Sequence, residues 1–371
     1  MSKKLKILLI EPYFSGSHKV WSEGLNKHSR HDVHLLTMEG LYWQWRMRGS
    51  SVSLAQRFLK EDIAYDLILA SDMLDLGNFL SLTRSKTAHV PVALYFHENQ
   101  LTYPWSPREP KSCKATHVAL INYTSAMSAD FLFFNSGYNQ NSFFTNLEKL
   151  LQTFADDNQV ENIQLLKDKS SVLPLGIDIK KLENARQEKQ LDCLRPLILW
   201  NHRWEHDKNP EGFFKALTIL YDEGLEFSLA LLGENFRDNP KEFIMAKETF
   251  GKRVLHYGYV ENQDEYNRWL WESDLLPVTS IQDFFGISVA EAIYCETQPL
   301  LPNRLAYPEL LKGVECEDLF YNSFKQFLTK LRGEISREDK RTLLPLSEHI
   351  SSYCWSKMIV RYDSVFEKMS Q

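Results

Sequence analysis

Short, uniformly apolar runs alternate with longer amphipathic stretches along the whole chain, and this rhythm sets the expected architecture. Lys6–Ile10 is a continuous apolar run after a basic start, the mark of a strand buried on both faces, and EPYFSGSHKVWSEGL then turns into a helix. Runs of the same kind recur at Val33–Leu36, Asp66–Ala70, Val92–Phe96 and Phe131–Asn135, separated by helix-length segments. Residues 138–169 read as helix with an acidic, polar insertion, and SSVLPLGID closes this half with a strand ending at Pro174 and Gly176. The charged KKLENARQEKQLDCLRP, poor in large apolar residues, marks a domain boundary. A second alternation follows, with strands at Leu197–Trp200, Ser228–Leu232, Val254–Tyr257, Asp274–Val278 and Gln298–Leu301. Trp355, Met358, Ile359, Tyr362, Val365, Phe366 and Met369 keep the three-four spacing of a closing amphipathic helix. Strand-helix alternation of this kind gives parallel sheets with right-handed crossovers. The expected fold class is α/β, with two doubly wound, Rossmann-like domains, residues 1–182 and 183–371, facing across a ligand-binding cleft.

Composition narrows the partners more than the fold. The 371 residues are 43% hydrophobic and 25% charged, ordinary globular values that support a sizeable core. Net charge is −6, against a protein that simply coats nucleic acid, yet residues 1–120 hold 15 Lys and Arg to 11 Asp and Glu. A polyanion, if bound, is expected on that basic first third. Cys113, Cys193, Cys295, Cys316 and Cys354 are odd in number and widely spaced, which suggests neither a disulfide framework nor a zinc knuckle but reduced thiols in a cytoplasmic protein. The start has too short an apolar run for a signal peptide, and nothing approaches the roughly 18 apolar residues of a membrane span.

The densest chemistry is DFFGISVAEA, Asp283 to Ala292. Gly286 lets backbone approach a ligand, and the N–H groups of Gly286, Ile287 and Ser288 at a helix start point at an anion. Asp283 in front and Glu291 more than a turn inside flank that anion, which suits the hydroxyls of a sugar nucleotide, although a capped helix with surface acids has the same pattern. Arg203 and Lys208, on the loop past the strand at Leu197–Trp200, are two cations able to meet a diphosphate and stabilise its charge as a leaving group. His202 and His206 on that loop read as its surface rather than as metal ligands, and with cations already supplied no divalent ion is expected.

The first half carries its own signals. Gly16 follows strand one and opens a helix that Ser17 can cap, so its backbone can approach donor phosphates or acceptor, or simply turn. His97 and Glu98 stand where a strand runs out, followed by Asn99, Gln100, Tyr103, Pro104 and Trp105 in one polar and aromatic cluster. In the loop-like LYWQWRMRGSS, Trp43 and Trp45 alternate with Arg46 and Arg48, which offers stacking planes and phosphate partners to single-stranded bases. The alternative is one core tryptophan and solvated arginines.

Arg203 and Lys208 after a strand, then F-G-x-x-x-x-E-A with a preceding acid about 80 residues later, resemble the retaining nucleotide-sugar glycosyltransferases of the GT-B fold, family 4. The resemblance spans essentially the whole chain, including the pair Ile177 and Asp178 and a closing helix that in that fold crosses back to the first domain. It implies a nucleotide on the C-terminal half, with Arg203 and Lys208 on the diphosphate, Glu291 on the ribose and His97 beside the transferred sugar. Asp283 stands where the family more often has Glu. It also implies retention by front-face attack. LYWQWRMRGSS and HENQLTYP together resemble a narrower group, the tRNA-queuosine mannosyltransferases. That implies transfer of mannose from GDP-mannose to the cyclopentenediol of queuosine at the wobble position of aspartate tRNA.

His97, Glu98 and Asp283 are therefore the candidate catalytic residues. Gly16, Arg203, Lys208, Gly286, Ile287, Ser288 and Glu291 are candidates for the donor, and Trp43, Trp45, Arg46, Arg48, Asn99, Gln100 and Tyr103 for the acceptor. Two other classes compete: a transferase of the same fold acting on a lipid or soluble glycan, and a non-catalytic sugar-nucleotide- or RNA-binding module. A basic amphipathic docking helix would favour the former and loss of the acids or the Arg/Lys pair the latter; neither feature is found.

Overall fold

The computed structural model describes residues 3–104, 116–186, 195–233, 240–337 and 346–371, so Trp105, Cys113 and Cys193 lie outside the described residues. The chain forms two units, Met1–Gly176 with Trp355–Gln371, and Ile177–Cys354. In the first, β1 (Lys6–Phe14), β2 (Asp32–Glu39), β3 (Leu67–Ser71), β4 (Val92–Phe96), β5 (Phe131–Phe134) and β6 (Ser170–Val172) lie in the order β2-β1-β3-β4-β5-β6. Each named pair is parallel, with Ile7 of β1 opposite Val33 on one side and Leu67 on the other. β3 and β4 are buried at every position, which is why they read as unbroken apolar runs.

The second unit repeats the plan with β7 (Leu197–Trp200), β8 (Ser228–Leu231), β9 (Val254–Tyr257), β10 (Leu275–Pro277), β11 (Gln298–Pro302) and β12 (Phe320–Tyr321), ordered β12-β11-β10-β7-β8-β9. Strand order reverses between β1 and β3 in one sheet and between β7 and β10 in the other. Ligands of open α/β sheets bind where the order reverses, outside the C-terminal strand ends. Those two places hold the residues described below.

Three local expectations are corrected. β1 does not stop at Ile10 but runs to Phe14 across a register shift between Glu11 and Phe14, with the Glu11 side chain fully buried and bonded within the fold. LYWQWRMRGSS is not a loop: Trp43–Lys60 is one helix, entered through Tyr42 at φ 51. Ser17 is not the cap of the first helix, Gly16–His28, which starts from Ser15, and Gly16 itself takes φ +50.

Segment 177–182 belongs to the second unit, where Asn267 Nδ2 donates to the Lys181 carbonyl (2.9 Å) and Trp271 Nε1 to that of Leu182 (2.8 Å). Helix Trp355–Met369, in contrast, is part of the first unit. Trp355 fills a slot between Gly24 and Gly176, where a Cβ on either glycine would overlap the indole. Tyr362 accepts from Trp21 Nε1 (3.0 Å) and donates to the Pro174 carbonyl (3.1 Å), with the Tyr95 hydroxyl 3.1 Å away. Asp363 accepts from the Ser29 hydroxyl (2.6 Å), and Arg30 pairs with Glu367.

Candidate active site

At the β7/β10 reversal, the loop after β7 meets the loop after β10. The Asp207 carbonyl accepts from Ile281 N–H (2.8 Å), and buried Lys208 donates from Nζ to the Gln282 carbonyl (2.9 Å). The same ammonium stands 3.3 Å from carboxylate oxygens of both Asp207 and Asp283. Burial opposes its charge, but Asp283 and Asp207 outweigh that and hold its pKa above the ordinary lysine value. Asp283 also accepts from the Tyr307 hydroxyl (3.1 Å), and a Cβ on Gly286 (φ +85) would meet the Tyr307 ring at 3.1 Å. Gly286 thus brings bare backbone to this point and opens helix Ile287–Tyr294, which no side chain caps, leaving the first-turn N–H groups open to an anion.

Arg203 is half-exposed beside Glu205 (3.6 Å) and is the outer of the two cations. His202, read from sequence as loop surface, is buried instead. Its Nδ1 is 3.3 Å from the Ser288 hydroxyl, and burial together with Lys208 drives its pKa down to about 4, so the ring is neutral. Asn201 Nδ2 donates to the Ser288 carbonyl (2.8 Å) and ties that loop to the helix start. Glu291, one turn further in, faces the Tyr266 hydroxyl at 3.4 Å. Burial raises its carboxyl to about 7, more than the Tyr266 bond and Lys181 lower it.

At the β1/β3 reversal a second cluster forms. Glu11 of β1 accepts from Tyr13 N–H (2.8 Å) and lies 3.0 Å from His18 Nδ1. Asp72, directly after β3, is fully buried and accepts from His97 N–H (2.9 Å). His97, directly after β4, rests against His18 (ring centroids 4.1 Å), Trp21 (4.6 Å) and Tyr95 (4.8 Å), and neither of its ring nitrogens has a partner. No link among Glu11, His18 and Asp72 was legible in the sequence; the available signals were an acid directly after the apolar run of β1 and another directly after β3. Glu11, His18 and His97 offer donor atoms all within 4.8 Å of one another, but the Glu11–His18 pair is already closed on itself.

Not every expected contact residue is free for a ligand. Asn99 is fully buried, with Nδ2 on Asn139 (2.8 Å) and Ser142 (3.1 Å) and Oδ1 accepting from Thr102, so it braces the loop rather than facing an acceptor. Gln100 donates to Glu98 (2.7 Å), holding that half-buried carboxylate in place. Tyr103 N–H donates to the Asn99 carbonyl (3.2 Å) and continues the same turn. Trp43 packs on Met47, Met73 and Val118, whereas Trp45 is 61% exposed and Tyr42 80%. The Trp45 indole lies over Gly49, where a Cβ would meet it at 2.8 Å. Arg46 Nε donates to the Glu39 carbonyl (2.9 Å), and Arg48 is exposed.

The family description "tRNA-queuosine alpha-mannosyltransferase N-terminal" matches residues 6–177, and "Glycosyl transferases group 1" matches residues 182–320. A tRNA-queuosine alpha-mannosyltransferase of Drosophila melanogaster is 31% identical over 341 residues, covering 88% of this chain and 86% of that one. The chain belongs to the tRNA-queuosine alpha-mannosyltransferase family. It is a glycosyltransferase of the GT-B fold. The fold is shared with sucrose-phosphate synthase from Thermosynechococcus elongatus (TM-score 0.70, 13% identity, 98% and 99% of the two chains). It is also shared with the N-terminal domain of Candida albicans trehalose-6-phosphate phosphatase (TM-score 0.71, 14% identity, 100% and 98%). Among the described residues no helix of this glycosyltransferase is long and apolar enough to cross a membrane.

The raised Glu291 carboxyl gives a testable pH dependence. A carboxylate accepts from two ribose hydroxyls, whereas a carboxylic acid spends one oxygen as a donor. Donor KM is therefore expected to rise as pH falls through about 7, the point to which burial raises Glu291. Glu291→Gln should give a weaker but pH-independent donor KM over the same range. A wild-type donor KM that stays flat from pH 8 to 6 would remove Glu291 from the ribose.

Proposed function

We propose that this chain transfers mannose from GDP-mannose to the cyclopentenediol of queuosine in the anticodon of aspartate tRNA. The observation carrying this reading is that the queuosine-specific family match falls on residues 6–177 and so takes in nearly all of the basic first third, residues 1–120 with 15 Lys and Arg to 11 Asp and Glu. Arg203, Lys208 and the open N-terminus of helix Ile287–Tyr294 take the diphosphate and stabilise the charge that grows on it as the sugar leaves. Glu291 takes the ribose, and Asp283 and His97 the mannose. The departing phosphate accepts the acceptor's proton on the face it leaves, so the α-configuration is retained. Fixed cations do the work of a metal ion, and transfer proceeds in EDTA.

On the acceptor side, unstacked anticodon bases need planes and phosphates need cations. Trp45, exposed yet seated on Gly49, supplies the plane with little ordering left to do on binding. Arg48 and Arg46 supply charge. The test is mass spectrometry of nucleosides from queuosine-containing tRNA incubated with the protein and GDP-mannose: a mannosylated queuosine is expected, and its absence with a lipid or glycan product would redirect the assignment. In the same assay Trp45→Ala with Arg48→Ala should raise the KM for tRNA about tenfold or more and flatten its salt dependence, leaving donor KM unchanged. Trp43→Ala should instead act on stability.

A further inference from the structure

His18 and Glu11 were matched to no role by sequence, and the mechanism above does not use them. They nonetheless form an acid–histidine pair inside the first unit, both buried and joined at 3.0 Å. Burial alone would empty His18 of its proton, but Glu11 in direct contact, with Asp72 and Glu98 nearby, raises its pKa to about 9. The resulting imidazolium lies flat enough on His97 (38° between rings) to face it across 4.1 Å. His97 has burial and this cation against its own protonation.

We propose that His18 is a positioning residue: held charged by Glu11, it keeps His97 neutral and its ring fixed, so that a bare His97 nitrogen can accept from a hydroxyl of the transferred sugar. The inference rests on the reading that His97 meets that sugar. The groups facing the pair are Glu11 and Tyr13 on β1, Asp72 after β3, Tyr95 on β4, Glu98 after β4 and, through the Tyr95 hydroxyl, Tyr362 of the closing helix. Glu11, alone in direct contact with His18, outweighs Asp72 and Glu98 in holding the His18 proton.

The test is an NMR titration of the full chain with isotope-labelled histidine, the His97 signal being assigned with His97→Gln. In the wild type His97 should stay neutral at and below the pH at which an ordinary histidine takes up its proton, while His18 stays charged. In His18→Gln, which can still donate to Glu11, and separately in Glu11→Gln, which removes the anion, the His97 titration point should move up by about 1 or more. The ratio of kcat/KM at pH 6 to that at pH 8 should then fall about fivefold or more in both variants relative to the wild type. A wild-type His97 that titrates near an ordinary histidine, or an unmoved His97 titration in both variants, overturns the proposal whatever the rates do. A moved titration with an unmoved pH–rate profile upholds the coupling and removes instead the contact between His97 and the sugar.

Discussion

Lys208→Ala is expected to lower mannosyl transfer by about a hundredfold or more, the scale on which a single preorganised charge at a leaving group acts. The same change should cost stability. Lys208 is the ammonium between two carboxylates, and buried Asp207 is held ionised, against the penalty of its burial, by Lys208 and then Arg203. Removing one partner of a buried pair typically costs about 3–5 kcal/mol, because the charges left behind lose their nearest counter-ion and have little water to replace it. The sign of the pH effect follows. In the wild type the depressed Asp207 pKa contributes stability above the ordinary Asp range that is lost as pH falls through the folded value. In Lys208→Ala the unpaired carboxylates are relieved by protonation, so the gap in Tm to wild type should narrow on acidification. Adding Asp283→Asn should recover part of the Tm and none of the turnover. Arg203→Ala, half-exposed beside Glu205, should lower transfer more than about tenfold while leaving Tm almost unchanged. Near-normal turnover in both single variants would remove the diphosphate assignment.

Trp355→Ala is expected to cost about 3–5 kcal/mol, the range for removing a buried tryptophan from a site that cannot collapse. Here the walls are backbone: Gly24 and Gly176 hold the slot open, and His28 lies parallel to the indole at 5.9 Å. The damage should reach the chemistry through Tyr362, whose ring lies 5.9 Å from the Trp355 indole and whose hydroxyl is bonded to Trp21 and Tyr95: Trp21 stacks on Tyr95 at 4.5 Å, and both rings lie against His97. Thermal unfolding should show the loss. Trp355→Phe should recover a large part of it, and a Tm within a degree or two of wild type for Trp355→Ala would mean the helix is a passive tail.

What the sequence made legible divides along physical lines. Strands buried on both faces, such as Val92–Phe96, announce themselves because every position is apolar, and the closing helix because its apolar face repeats at helical spacing. The grouping of Lys208, Asp283 and Gly286 was legible because these residues sit close in sequence on two loops and use residue types with a narrow repertoire. Helix Trp43–Lys60 was missed because its buried face starts with Trp43 and Met47 and then passes through Ser50 and Ser51, which break the apolar stripe before Leu54. The Glu11, His18 and Asp72 cluster was missed for another reason. It is assembled from β1, the first helix and the residue after β3, and only the fold brings those three together. Asn99 misled because an amide suited to a ligand is equally suited to bracing a turn.

The seating of Trp355 between Gly24 and Gly176 has a consequence for biosynthesis. The first unit cannot be completed when its own 176 residues leave the ribosome, since its last element is encoded after the whole of Ile177–Cys354. At ordinary translation speeds that intervening stretch takes roughly 10–35 s to make. Throughout that interval the nascent first unit displays an unfilled groove lined by Trp21, Tyr95 and two glycines, a surface that chaperones hold and that neighbouring chains can capture. A premature stop near residue 355 would leave every donor-site residue encoded and would strike the half that carries His97. Fusions at the C-terminus likewise load the unit that begins the chain.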